Sequence, residues 1–181
     1  MKHSFLLLGI SVILFSCGNT VARKPIVRKT SSFMEESVSL NKSIILEEEN
    51  AFKALMELDS LNTYIASSDG FWYKFDKKNV TEYVPEFGDE LLYTYEVYDL
   101  NNTIIYTSEE IGEQKYFVDQ QEIIEGLRNG LKLMNEGEIV TFLFPSHKVF
   151  GYLGDQKKID INQSLIYKVQ LIKIKKKNES N

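Results

Sequence analysis

Few side chains in this sequence suit covalent or metal chemistry. It holds two histidines, His3 and His147, and one cysteine, Cys17. A Ser-His-Asp arrangement would have to use His147, and nothing around "FPSHKVFG" has the form of a nucleophile elbow. His147 is therefore read as a loop residue. Metal sites need clustered His and Cys ligands, and the sequence has no such cluster. Asp and Glu total 26, but they alternate with lysine or fall on helix faces, where they serve solubility.

A different signal comes from "QQEIIEGLRNGLKLMNEGE", residues 120–138. The stretch has helical periodicity yet carries Gly126 and Gly130, and a glycine inside a helix costs about 1 kcal/mol relative to alanine. At roughly 100° per residue, Ile123, Leu127, Leu131 and Met134 form an apolar stripe. Both glycines fall on or beside it. Glu125, Arg128, Lys132 and Glu136 lie on the opposite side. Glycine on the apolar side lets a helix backbone come close to what it covers. The pattern therefore predicts a short helix lying tight on a sheet, with Gly137 ending it as the C′ residue.

The elements that must position this helix read mainly as strands. "FWYKF" (71–75) alternates Phe71, Tyr73 and Phe75. "ELLYTYEVYDLNNTIIYTS" reads as two strands around a turn at Asn101 and Asn102, residues that tolerate positive φ. In the first of these strands Leu91, Tyr93, Tyr95 and Val97 share a face. "EIVTFLFP" (138–145) and "SLIYKVQLIKI" (164–174) are further strands, and in the last Leu165, Tyr167, Val169 and Leu171 point one way. Aromatics at 12% and hydrophobics at 43% suit such a packed sheet. The predicted class is α+β, an antiparallel sheet with one short helix.

Upstream, "SIILEEENAFKALMELDSLNTYIA" carries Ile44, Ile45, Phe52, Leu55, Met56, Leu61 and Ile65 at mostly helical spacing, which predicts a helix over 43–68. Its stripe packs either on the domain or on a second copy. Residues 17–42 are polar and read as a tether. "MKHSFLLLGISVILFSC" has the basic start, apolar run and small residues of an export signal, too short to span a membrane. "LFSC" resembles a bacterial lipobox, so the expected cleavage follows residue 16 and leaves Cys17 lipidated. The alternative is an ordinary signal peptide cut nearby. A lone cysteine excludes an intramolecular disulfide. The net charge of −5 argues against a nucleic-acid partner.

Together, "QQEIIEGLRNGLKLMNEGEIVTFLFPSHKVFG", "PEFGDELLYTYEVYDLNNTIIYTS" and "NQSLIYKVQLIKI" resemble the FKBP-type peptidyl-prolyl isomerases, in the right order over residues 71–174. The resemblance implies an antiparallel half-barrel of five or six strands wrapped around the short helix, as a domain spanning 70–176. With the lipobox, tether and N-terminal helix, the chain is similar to FKBP-like lipoproteins associated with gliding motility in Gram-negative bacteria.

The resemblance also implies a pocket between helix and sheet that takes a proline ring. Tyr95 matches the pocket tyrosine. Ile123 and Ile124 match the pair at the helix start, where the resemblance has the backbone N–H of Ile124 donate to a substrate or inhibitor carbonyl. Leu127 stands at the pocket floor, Ile159 in the loop, and Tyr167 on the last strand. Ile105 and Tyr106 fall where the family usually has Phe-Asp, and Phe150 falls where it has a tyrosine. Two polar contributors are thus changed. The loop between Gly151 and Ser164 also lacks the usual prolines. Taken singly, on composition alone, each of these reads better as an ordinary sheet-core aromatic or aliphatic; the ordered resemblance reverses that preference for the pocket as a whole.

The activity so implied is prolyl cis-trans isomerisation with Tyr95, Ile124 and Phe150 at its centre. It needs no cofactor and no metal. Its clients would be proline-containing exported or envelope polypeptides, reached from a lipid anchor in the cell envelope, in the outer membrane facing the periplasm. The rival expectation, motivated by Tyr106 and Phe150, is a catalytically weak binding or chaperone module.

Overall fold

The computed structural model describes residues 30–79 and 83–177. The signal segment and Cys17 lie outside the described residues. The chain divides into two compact units, Met1–Ser37 and Val38–Asn181. The described part of the first is only the start of a helix, on which Phe33 and Met34 are exposed. The rest of the architecture belongs to the second.

That helix, α1, spans Thr30–Leu58. It differs at both ends from the 43–68 helix that periodicity predicts. It begins within the presumed tether, because the run Thr30–Asn41 holds no proline or glycine to stop it. It stops at Leu58 because the Asp59 carboxylate collects the Asn62 amide (2.7 Å), the Tyr64 hydroxyl (2.9 Å) and the Lys74 ammonium (2.6 Å). These bonds turn the chain back to the sheet. Ile65–Ala66 is then strand β1 rather than helix.

The sheet has seven strands among the described residues: β1, β2 (Trp72–Lys77), β3 (Glu90–Tyr98), β4 (Ile104–Tyr106), β5 (Gln114–Phe117), β6 (Ile139–Phe144) and β7 (Leu165–Lys175). Their order is β1-β2-β6-β7-β3-β4, with β5 also paired to β3, and every pairing is antiparallel. The sequence stretches read as strands all form strands. β1 and β5 were not legible, being two and four residues long. A single turn of helix, α2 (Ser108–Ile111), follows β4 and starts with a capping box between Thr107 and Glu110.

The short helix α3 covers only Glu125–Leu131. Its C=O(Ile124) accepts from N–H(Arg128) at 3.0 Å, so Ile124 is the N-cap and Ile123 precedes the helix. Beyond Leu131 the bonds tighten to i→i+3, Leu133 to Gly130 and Met134 to Leu131. Gly137 therefore does not end the helix as expected. It sits in the turn before β6 at φ +83°, its N–H bonded to Leu171 at 2.8 Å.

Side chains on β6 and β7 alternate between two covered faces. On one face Phe142, Phe144, Leu165, Tyr167, Val169 and Leu171 join Leu127, Leu131 and Met134 beneath α3. On the other, Leu143 and Ile166 meet Phe52 of α1, whose ring lies 5.5 Å from that of Trp72. The C-terminal half of α1 thus packs on its own sheet, while Val38, Leu40, Ile45 and Leu46 nearer its start are exposed. Further along α1, buried Glu48 accepts from N–H(Ser146) and from the Ser164 hydroxyl, both at 2.9 Å. This ties α1 to the segment that carries Phe150.

Candidate functional site

Three strands supply an aromatic floor under α3. Tyr95 on β3 stacks on Tyr167 of β7, centroids 5.4 Å apart and planes 17° from parallel. The pairing register explains this: Val97, not Tyr95, lies opposite Tyr167, so the two rings are diagonal neighbours on one face. Phe144 of β6 meets Tyr167 edge-on at 5.4 Å and stacks on Phe142 at 5.3 Å. A methyl group built on Gly126 would fall 2.8 Å from the Phe144 ring, and one on Gly130 would fall 3.0 Å from Phe142. The two glycines are therefore what lets α3 lie against this floor.

The structure brings the expected pocket residues together. Leu127, Ile159 and Tyr167 are buried members of one cluster, and Tyr95, Ile105, Tyr106, Ile123 and Phe150 are half-buried against it. Ile124 contributes through its backbone. Among the described residues, its N–H has no acceptor. Tyr95 makes no side-chain hydrogen bond among the described residues, and burial pushes its pKa up, so it stays a neutral phenol. Tyr167 is pushed up as well, by burial first and then by the neighbouring Tyr95 and Asp155.

Sequence reasoning missed Asp155. Its Oδ2 accepts the hydroxyl proton of Tyr106. Its Oδ1 accepts the backbone N–H groups of Lys157 (2.9 Å), Lys158 (2.9 Å) and Ile159 (2.8 Å). Desolvation raises the Asp155 pKa, but the Tyr106 hydroxyl and these N–H groups outweigh it and hold it at about 2. The same bond pushes Tyr106 up to about 12. An acidic group thus stands beside the pocket despite the tyrosine at 106. It comes from the loop wall instead of from β4. The signal was present in "GDQKK", since an Asp that folds the following N–H groups onto its side chain is a turn former.

Lys158 closes this wall. Its ammonium bonds the carbonyl of Ile105 (3.1 Å) and Glu110 (2.8 Å), and lies 4.6 Å from the Tyr106 ring centroid. Gly154, at φ +62°, leaves no room for a side chain: a Cβ there would fall 2.3 Å from O(Ile159). The loop that lacks the usual prolines is therefore shaped by Gly154, Asp155 and Lys158.

Away from this pocket, a cavity of about 860 Å³ on the outer sheet face is lined by Leu55, Tyr64, Lys74, Asp76 and others. Three of its charged groups are paired: Lys74 reaches Asp59 at 2.6 Å and Asp76 at 3.8 Å. These contacts brace the end of α1.

A family model described as FKBP-type peptidyl-prolyl cis-trans isomerase matches residues 82–172. Peptidyl-prolyl cis-trans isomerase Mip of Coxiella burnetii is 32% identical over 93 residues, which is 51% of this chain and 40% of that protein. The chain thus spans less than half the length of this curated relative. The helix on an antiparallel sheet, the aromatic floor between them and a match over half of the sequence agree: this chain belongs to the FKBP-type peptidyl-prolyl cis-trans isomerase family.

Proposed function

We propose that this chain is a peptidyl-prolyl cis-trans isomerase. An X-Pro bond rotates over a barrier of about 20 kcal/mol because the amide loses resonance when it twists. The twisted amide is less charge-separated than the planar one, so an apolar cup around the ring favours it. A fixed donor facing the carbonyl helps further. The observation that carries the assignment is the stacked Tyr95–Tyr167 floor together with the Ile124 N–H, which has no acceptor among the described residues. In this scheme Leu127, Ile159 and Tyr167 hold the proline ring, Ile123, Phe150, Ile105 and Tyr106 form the rim, and Ile124 fixes the carbonyl. The test is the cis/trans rate of a Leu-Pro or Phe-Pro peptide with the purified domain. Folded protein that leaves the rate at its buffer value refutes the assignment.

The cellular setting proposed with it rests on sequence alone: anchoring through Cys17 in the cell envelope, outer membrane facing the periplasm, and clients among exported proteins, including parts of a gliding-motility machine. Radiolabelled palmitate incorporation into wild type and Cys17→Ser tests the anchor. Equal labelling of both removes it.

A second arrangement is favoured by one observation. The apolar side of α1 that meets the sheet at Phe52 continues towards its start as exposed Val38 and Ile45. This stretch fits a second copy of the chain. Sedimentation of the soluble form with and without residues before Ser43 decides it, and a monomer in both refutes it.

A further inference from the structure

We propose that Asp155 is a positioning residue of the proline pocket, acting through Tyr106. The inference rests on the isomerase assignment above and names a residue that the assignment does not use. The two carboxylate oxygens have separate tasks. Oδ1 gathers the N–H groups of Lys157, Lys158 and Ile159 and so folds the loop that delivers Ile159 to the pocket. Oδ2 accepts the hydrogen bond donated by the Tyr106 hydroxyl. A phenol that donates its hydrogen bond to a carboxylate turns its oxygen lone pairs away from that carboxylate. The rim at Tyr106 then presents an acceptor, while Ile124 presents a donor. A peptide has both partners, a carbonyl for Ile124 and an N–H for the Tyr106 side. Asp155 fixes which way round the peptide sits.

The separation of tasks makes a clean variant available. In Asp155→Asn the Oδ1 position remains an acceptor, so the loop keeps its three N–H bonds. The amide nitrogen now faces Tyr106, which must accept instead of donate, and the polarity of the rim reverses. Tyr106→Phe keeps the ring, and with it the contact to Lys158, but removes the hydroxyl.

The experiment is a double-mutant cycle of Asp155→Asn and Tyr106→Phe, read as kcat, KM and thermal midpoint on a Leu-Pro peptide, with peptide Kd measured alongside. A hydrogen bond to a charged group predicts a loss of about tenfold or more in kcat/KM for each variant. The double variant should lose no more than the worse single one, and midpoints should stay near wild type. Two results overturn the proposal: both single variants within twofold of wild type, or a loss in Asp155→Asn matched by collapse of its midpoint while Tyr106→Phe is fully active. If wild type binds the peptide without turning it over, the isomerase assignment fails by itself. The same cycle then reads the pairing through Kd, where unchanged values in both variants overturn it.

Discussion

Gly126 and Phe144 are packed so closely that a Cβ on the glycine would lie 2.8 Å from the ring, which is itself flanked by the rings of Phe71, Phe142 and Tyr167 at 5.1, 5.3 and 5.4 Å. Overpacking of this kind costs about 1–3 kcal/mol, against a gain of about 1 kcal/mol from replacing a helical glycine by alanine. A clash at 2.8 Å falls in the upper part of that range, about 2–3 kcal/mol, so Gly126→Ala should lower stability by about 1–2 kcal/mol net. Gly130→Ala, at 3.0 Å, should lower it less. Urea unfolding measures both, and a Gly126→Ala protein as stable as wild type contradicts the close-approach account.

Ile124 has φ −50° and ψ 129°, a conformation that proline adopts without strain. Its N–H has no partner among the described residues, so Ile124→Pro removes a donor and little else from the backbone. The variant should fold with a near wild-type thermal midpoint and lose about tenfold in kcat/KM for a Leu-Pro peptide. Equal catalysis in a folded Ile124→Pro protein would rule out the backbone donor.

Phe52 is fully buried between α1 and the sheet, against Leu143 and Ile166. Phe52→Ala should cost about 3–5 kcal/mol. Because Glu48 on the same helix holds Ser146 and Ser164, loosening α1 should also raise amide exchange across 146–150. Exchange unchanged in that segment would show that α1 does not support the Phe150 wall.

Asp59 and Asp155 are both held at about 2, below the ordinary 3.8. For Asp59 the Lys74 ammonium is the leading cause, and for Asp155 the Tyr106 hydroxyl and backbone N–H groups overcome an opposing desolvation. A depressed carboxylate contributes stability that is fully present above about pH 4 and is lost as the pH falls toward 2. Asp59→Asn should accordingly be less stable than wild type at neutral pH, with the difference shrinking through this window. A difference that stays constant from pH 7 to 2 contradicts the assignment.

Much of this arrangement is legible in the sequence. Period-2 runs marked β3, β6 and β7, and two glycines on an apolar stripe announced a close helix–sheet contact. Local pattern reached less far where distant residues decide. The end of α1 is set by Lys74, fifteen positions beyond Asp59, and the short β1 and β5 exist only through their partners. The pocket acid is the plainest case. Position 106 reads as a lost carboxylate, yet Asp155 returns one across a separation of 49 residues. No single-position comparison can see such an exchange.

The central claim is that the cup formed by Tyr95, Tyr167, Leu127 and the N–H of Ile124 lowers the barrier to X-Pro rotation. The most direct measurement is the isomerisation rate of a Leu-Pro peptide with and without the folded domain, by NMR exchange. Acceleration proportional to protein concentration, sharply reduced by Tyr95→Ala in a protein that remains folded, is the predicted result. A rate equal to that in buffer, or one unaffected by Tyr95→Ala, contradicts it.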